Sequence, residues 1–369
     1  MQGMAQKQMR GKREAGEGLS GAKRGGRLLR PSLSIIIVNW NGKELNGNCL
    51  RSIQAQDARC VDADRGAAPG FRDAKGVKRA GRASASGRAR VTYEVIFVDN
   101  ASVDGSADAV AREFPWVRVI RNATNRGYAG GNNDGIRAAR GDFVLLLNND
   151  TVLHKGFLKA MLAPMRDAAV GMVAAKTLLM DGSIDTLGHK VYGCGLAWDV
   201  RREEEADLVL SPCGVAVLYR KTVLDTLPGG LLDEDFHLYS EDLDLGLRIR
   251  LAGHKLAYVS DAVLDHIHGA SSKKVRNRAI FYGRRNELWV VVKDWPAPVI
   301  WRHLHQILLV QLGEIIRYTK MFKLHVLLAA KVSSLWGLPR MLLKRRAVQG
   351  QRRISAAQFE KLLVKAMLP

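Results

Sequence analysis

The chain has 369 residues, 47% of them hydrophobic, a content that suits one large or two modest folded domains and excludes a disordered protein. Its formal net charge of +21 is unevenly placed: residues 1–30 carry +6, 57–90 carry +5 and 293–369 carry +11, leaving everything else at −1. A near-neutral core with basic appendages argues against a domain that reads nucleic acid, and for an anionic surface, such as a membrane leaflet, touched at the periphery.

Residues 1–30 are rich in Gly, Lys and Arg, lack apolar periodicity and read as a disordered tail. No apolar segment follows this basic start, so no signal peptide is expected. SLSIIIVNWNG (32–42) reads as a buried strand ending in turn residues, and GKELNGNCLRSIQAQ as a short helix with Leu45, Cys49 and Ile53 on one face. Residues 57–90 are a low-complexity insertion rich in Gly, Ala, Arg and Ser. YEVIFVDNAS (93–102) is a second buried strand, followed by a helix near 104–114 and a short strand at VRVIRN. NRGYAGGNNDGIRAAR then reads as a Gly-rich loop running into a helix, and GDFVLLLNNDTVL (141–153) as another buried strand. Strands alternating with helices imply right-handed crossovers and a parallel sheet.

A single strand stopping at Asn148-Asn149-Asp150 can be a plain turn. Three apolar strands do the same, ending at Asn39, at Asp99-Asn100 and at Asn148 to Asp150. Ligands of open α/β sheets bind beyond the carboxyl ends of their strands, so these ends together outline a pocket. Asp150 and its Asn neighbours offer hard oxygen ligands, suited to Mg²⁺ or Mn²⁺ shared with substrate phosphates. The glycines of 127–135 let backbone N–H groups approach an anion at a helix start, although the spacing matches neither a Walker A motif nor a dinucleotide fingerprint.

Downstream, GLLDEDFHLYSEDLDLGLRIRLAGHKLAYVSDAVLDHIHGAS (230–271) is acid-rich at its start. Glu241, Asp242 and Asp244 precede an apolar face of Leu243, Leu247 and Leu251. Carboxylates at a helix start can simply answer the helix dipole, or one can serve as a general base. His266 or His268 is a further candidate metal ligand. The four cysteines, Cys49, Cys60, Cys194 and Cys213, show no metal spacing and read as free thiols of a reducing compartment.

The stretches IIIVNWNG, VIFVDNASVDGS, NRGYAGGNNDGI, LLLNNDT, SPCGVAVLYRKTVL, GLLDEDFHLYSEDLDLGLRIRLAG, HIHGAS and RRNELW, in this order over about residues 32–295, resemble the family 2 inverting glycosyltransferases, in particular their rhamnosyltransferase-like subgroup. The resemblance implies a GT-A nucleotide-sugar-binding α/β fold with a mostly parallel central sheet. It would occupy residues 31–295, interrupted at 57–90, and be followed by a basic amphipathic helical extension, 296–369. It implies that Asn39 and Asp99 contact base and ribose, and that Arg126, Gly131, Asn132 and Asn148 lie along the nucleotide. Asp150 would hold the metal at the family's DxD position, His266 would complete that site, and Asp242 would be the base. Asp244 would cap or brace the helix start. One departure is that Asn148 replaces the first Asp of DxD; the other is the 57–90 insertion.

The implied reaction moves a sugar, rhamnose among the options, from a dTDP- or UDP-linked donor to a glycan or lipid-linked acceptor of bacterial cell-wall or surface polysaccharide. The implied location is cytoplasmic, peripheral to the inner face of the membrane. In the extension, Trp301, Leu304, Leu308, Leu312 and Ile315 recur at helical spacing among Arg302, Arg317, Lys320 and Lys323. They fit a helix packed on the core or on a second subunit, or one lying on an anionic leaflet. A processive polysaccharide synthase would need a Q-x-x-R-W signature and spanning helices. The sequence has no such signature and no charge-free apolar run of the roughly 18 residues a span requires. A nucleic-acid-binding protein would need basic residues interleaved with aromatics on a folded face, and the basic tails hold few aromatics.

Overall fold

Ile35, Ile36 and Ile37 are each no more than 1% exposed, which consecutive strand residues achieve only when both faces of a sheet are covered. They belong to β1 (Leu33–Asn39) in a computed structural model that describes residues 32–56, 92–227, 229–267 and 276–365. The basic tail, the 57–90 insertion and His268 lie outside the described residues.

β1 pairs in parallel with β2 (Tyr93–Asp99) on one side and β4 (Phe143–Asn148) on the other, and β3 (Arg118–Arg121) extends β2 in parallel. Beyond β4, β10 (Ala216–Arg220) runs antiparallel to both β4 and β6 (Val170–Leu179). β11 (Lys255–His266) is parallel to β6, β5 (Thr151–Leu153) is antiparallel to β11, and β7 (Ile184–Thr186) is antiparallel to β6. The order in this nine-stranded sheet is β3-β2-β1-β4-β10-β6-β11-β5, with β7 beside β6. Only β10, β5 and β7 oppose the common direction, so the sheet is mostly parallel, as the alternation of elements predicts.

Side chains of successive strand residues fall on opposite faces. Ile35, Ile37, Phe97, Leu145 and Leu147 form one core cluster. It includes residues of α1 (Lys43–Gln54), α2 (Ser106–Glu113) and α4 (Phe157–Leu162). Ile36, Ile96, Val98 and Leu146 form another, with α3 (Gly127–Ala138) and α6 (Glu241–Leu251). At about 1.5–3 kcal/mol for each fully buried aliphatic chain, these two layers hold the strand ends in place. In α1, Asn46, Cys49, Leu50 and Ile53 are buried, whereas Leu45 is only half-buried.

The Gly-rich stretch differs from its expected form. It is not a loop: the helix starts at Gly127 and runs through the glycines. A Cβ on Gly131 would stand 2.7 Å from Val38 Cγ1, and one on Gly135 would stand 2.3 Å from Ile36 Cγ2. The glycines therefore bring α3 against β1, and close packing outweighs their low helix propensity.

The C-terminal part comprises α7 (Arg276–Asp294), α8 (Ala297–Lys320), α9 (Leu324–Gly350) and α10 (Ala356–Glu360); the short α5 (Lys221–Thr226) follows β10. α9 packs against α7, where Trp289 Nε1 donates to the Ser334 carbonyl at 2.9 Å. Trp289, Trp295, Met341 and Phe359 form a third cluster with Leu243, Leu247 and Leu251 of α6. α6 is thus held between the sheet, through Leu245 and Ile249, and the C-terminal helices.

Candidate active site

Because β1, β2 and β4 are in parallel register, Asn39 lies beside Asp99 and Val38 beside Asn148. The three polar ends meet at one edge. Asn39 is 1% exposed; its Nδ2 donates to Asp99 Oδ1 at 3.0 Å and to Ser102 Oγ at 3.0 Å. Its Oδ1 accepts from Asn149 Nδ2 at 2.9 Å, and Asn149 also reaches Asn46 Oδ1 at 3.0 Å. The first strand end is thereby bolted to both the second and the third.

Asn148 itself is half-buried. Gly131 and Asn132, expected along a nucleotide, are both buried: the first packs on Val38 and Asn100, and Asn132 Nδ2 donates to the Tyr128 carbonyl at 3.0 Å. Arg126 bonds Glu234 at 2.8 Å and also pairs with Asp134, so it links α3 to the loop before α6. Gly127 has φ +69°, and a Cβ there would meet the His237 carbonyl oxygen at 2.7 Å, a place where only glycine fits.

Asp150 follows β4, and its carbonyl accepts from Ile267 N–H at 2.9 Å. His266 ends β11 opposite Thr151. This pairing sets His266 Nε2 3.4 Å from Asp150 Oδ1, while Nδ1 is 2.9 Å from Asp185 Oδ2. Burial lowers the His266 pKa, but the two carboxylates outweigh it and push it up to about 9. Two ligands of a hard divalent ion, each about 2.1 Å from it and at right angles, stand about 3 Å apart. A His whose second nitrogen is fixed by a carboxylate is the usual supporting arrangement. Asp150 and His266 therefore fit a divalent cation, with Asp185 orienting the ring.

Asp242 lies in the first turn of α6. Its Oδ2 accepts from Gly214 N–H at 2.7 Å and stands 3.1 Å from His189 Nε2; its Oδ1 accepts from Leu243 N–H at 2.7 Å. Gly214 is one residue from Val215, whose carbonyl accepts from Asn148 N–H at 2.9 Å. Two consecutive residues at the entrance of β10 thus join Asp242 to the turn that carries Asp150. Tyr128 O–H, from the first turn of α3, donates to the Gly214 carbonyl at 2.5 Å.

Burial raises the Asp242 pKa, but His189 and the two backbone N–H groups outweigh it and hold the carboxyl below its ordinary range. Its neighbour Glu241 behaves oppositely. Burial, then the Asp242 charge, push Glu241 up to about 8, and its Oε2 has no partner among the described residues. Of two adjacent carboxyls, the surroundings favour the charged form of one and the neutral form of the other.

His189 was missed by sequence reasoning. It opens β8 (His189–Val191) and pairs in register with Asp199 of β9 (Ala197–Asp199). Its Nδ1 is 3.3 Å from Asp199 Oδ1, so the ring bridges two carboxylates. Burial opposes protonation, but those charges raise its pKa well above the ordinary value. Cys213 completes a group whose ligand atoms all lie within 4.8 Å of one another. That set could take a soft cation, but His189 Nε2 and Asp242 Oδ2 already serve each other.

Of the two roles expected of Asp244, capping or bracing the helix start, the structure shows the second. Asp244 does not cap the helix; it is fully buried, with Oδ2 2.8 Å from Arg248 Nη2 and Oδ1 2.5 Å from Lys293 Nζ. Lys293 also binds Asp233 at 2.7 Å; Lys344 of α9 pairs with Asp233 and, at 2.6 Å, with Asp235. The loop between this cluster and α6 is held in an unusual form: His237, Tyr239 and Ser240 all have φ between +62° and +67°. Such residues cost on the order of 1–3 kcal/mol each and persist where neighbours over-determine them. Here Asn286 Nδ2 reaches the carbonyls of Phe236, Leu238 and Tyr239 at 2.7–3.0 Å, and Arg285 Nη2 those of Asp235 and Phe236 at 2.9 Å. RRNELW is thus a strap over the loop that delivers Asp242. A separate cavity of about 310 Å³, lined by residues including Val223, His254 and Arg353, holds no carboxylate and lacks the chemistry gathered at the strand ends.

The pattern of a family described as Glycosyltransferase like family 2 matches residues 82–280, more than half of the chain. A pre-mycofactocin glycosyltransferase of Mycobacterium tuberculosis is 27% identical over 172 residues, 45% of this chain and 36% of that protein. An N-acetylglucosaminyl-diphospho-decaprenol L-rhamnosyltransferase of the same species is 27% identical over 248 residues, 56% of this chain and 78% of that protein. The chain spans about a third or less of the length of several curated relatives it matches. Among solved structures, a mannosyltransferase of Pyrobaculum calidifontis in complex with GDP-Man and Mn²⁺ superposes with a TM-score of 0.50. The match has 17% identity and covers 90% of this chain and 79% of that one. At that identity the likeness speaks for the fold.

Proposed function

The chain belongs to glycosyltransferase family 2, and from that premise we propose that it transfers a sugar from a nucleoside-diphosphate donor to a glycan or lipid-linked hydroxyl, with inversion, in bacterial cell-wall or surface polysaccharide synthesis. The observation that carries this reading is the bridge of Gly214 and Val215, which places the Asp242 carboxylate beside the turn bearing Asp150. Rhamnose from a dTDP- or UDP-linked donor is the sugar we favour, since a rhamnosyltransferase is the relative matched over 78% of its own length.

In this reading Asn39 and Asp99 form the floor beneath the base and ribose, with Asn148 and Arg126 at the rim. Gly131 and Asn132 support that floor by bringing α3 close to the sheet. Asp150 and His266 would hold Mg²⁺ or Mn²⁺, which when bound offsets the charge of the leaving diphosphate. Asp242 takes the proton of the acceptor hydroxyl. That oxygen bonds to the anomeric carbon as the carbon–phosphate oxygen bond breaks on the opposite face, so one displacement inverts the centre. His189, bridged to Asp199, keeps Asp242 ionised and fixed in orientation.

The test is Asp150→Ala, assayed by calorimetry against a panel of nucleoside diphosphates with Mn²⁺. Transfer and metal-dependent nucleotide binding should both disappear while the protein stays folded. Unchanged metal-dependent affinity in the folded variant would remove Asp150 from the site.

A further inference from the structure

Twenty large hydrophobic side chains lie exposed among the described residues, and fourteen of them fall between Trp301 and Leu343. That concentration on one pair of helices marks an interaction surface. On α8, Ile307, Val310, Glu314 and Tyr318 are buried against the protein. Trp301, Leu308, Leu312, Ile315 and Ile316 are 42–73% exposed. At about 100° per residue, this second set occupies the arc opposite the first. α9 repeats the pattern: Leu327, Ala330, Ser334 and Met341 face inward, while Leu328, Val332, Leu335 and Trp336 are 49–83% exposed. Phe322, at the turn between the helices, is 89% exposed with φ +54°.

The charge of these helices says what can cover such a surface. Residues 297–350 hold nine Lys/Arg and one acid, Glu314. Glu314 is buried and already paired with Arg284 and, at 2.9 Å, with Lys331. A second copy of this chain would bring one basic array against another. An anionic lipid leaflet accepts both the apolar arc and the cations beside it, and suits exposed Trp rings, whose amphipathic edges sit at headgroup depth.

By length and composition α9 could also cross a bilayer. Its bonds to the rest of the protein argue against that. Ser334 Oγ donates to the Arg285 carbonyl at 3.0 Å, Arg340 pairs with Asp235 at 2.8 Å, and Arg345 Nη1 donates to the Val292 and Trp295 carbonyls at 2.6 and 2.7 Å. Crossing would strip these bonds and leave charged groups in hydrocarbon.

We propose that α8 and α9 lie on the surface of an anionic membrane, with Trp301, Leu308, Leu312, Ile316, Phe322 and Trp336 inserted at the headgroup–acyl boundary. The proposal does not depend on the reaction catalysed.

The test is sedimentation of the full chain with phosphatidylcholine vesicles, with and without phosphatidylglycerol. It is compared with the triple variant Leu312→Gln, Ile316→Gln, Trp336→Gln, which keeps every charge, and circular dichroism and light scattering accompany both proteins. The parent should bind the anionic vesicles as a monomer, and the folded variant should bind them at least about tenfold less, from lost apolar burial. Three results would overturn the proposal: no binding by the parent; equal binding by both proteins that high salt abolishes, which assigns it to basic charge alone; or a parent dimer that the variant breaks with vesicle affinity unchanged.

Discussion

At the carboxyl edge of the sheet, Asn39, Asp99 and Asn132 are each no more than 4% exposed and each has a partner within the protein. On α8 and α9 the position is reversed: Trp301 and Trp336 are 73% and 83% exposed. Burying a polar group without a partner costs free energy, and so does wetting an apolar one. The fold has met the first cost at these three side chains, leaving Glu241 Oε2 and Asn46 Nδ2 nearby without a partner among the described residues, and has left the second standing on the helices. Polar groups committed inside the protein mark a rigid site for small-molecule chemistry. Apolar groups left uncommitted mark a surface completed from outside.

The sharpest way to break this contrast is at Asp242. Asp242→Asn should lower turnover by at least about a thousandfold, near 4 kcal/mol, with nucleotide affinity little changed, because the carboxylate serves the acceptor. Steady-state kinetics beside donor titration checks both halves. Asp244→Asn tests whether a buried charge two residues away belongs to structure instead. Removing one partner from a buried ion-pair cluster should cost about 3 kcal/mol or more, read as a lower denaturant midpoint, while turnover per folded molecule holds. Loss of turnover at normal stability in Asp244→Asn, with Asp242→Asn active, would exchange the two roles.

A smaller effect is expected at His189. His189→Gln removes the positive charge that opposes burial at Asp242, so the Asp242 pKa should rise. Turnover at neutral pH should fall roughly 10- to 100-fold, the scale of proton-transfer assistance, and part of the loss should return as the pH is raised. An unchanged pH–rate profile would make His189 a bystander. The smallest effect concerns Glu241. Its pKa is raised from 4.5 to about 8 in the folded state, so its contribution to stability is complete below 4.5 and is lost as the pH rises through 8. Glu241→Gln should therefore gain stability relative to the parent progressively across that window, as urea midpoints at several pH values would show. A pH-independent difference would place the proton elsewhere.

Strands β1, β2 and β4 were legible because central strands carry unbroken apolar runs, and their polar ends, legible too, meet at one sheet edge. Asp242 and Asp244, two residues apart, point about 200° apart around a helix, which periodicity alone provides. Their partners could not be read: His189 lies 53 residues from Asp242 along the chain, in a three-residue strand with no motif of its own. The glycines of α3 read as loop because local propensity disfavours them in helices, and only the proximity of Ile36 and Val38 supplies the opposing reason. The apolar spacing on α8 was visible, but spacing fixes a stripe and not its direction. Trp301, Leu308, Leu312 and Ile315 point outward, and Ile307, Val310 and Tyr318 do the packing.

The cluster of Asp233, Asp244, Arg248, Lys293 and Lys344 has a consequence for how this molecule can be divided. Lys344 lies on α9, Lys293 on α7, Asp244 and Arg248 on α6, and Asp233 before the loop that leads to Asp242. A cut after residue 295 would take Lys344 and Arg340 from Asp233 and Asp235, and would uncover Trp289 and Trp295. Catalytic part and helical extension would then unravel together. A transplant of the extension onto another enzyme would therefore have to bring or find partners for Arg340 and Lys344, as Asp233 and Asp235 serve here.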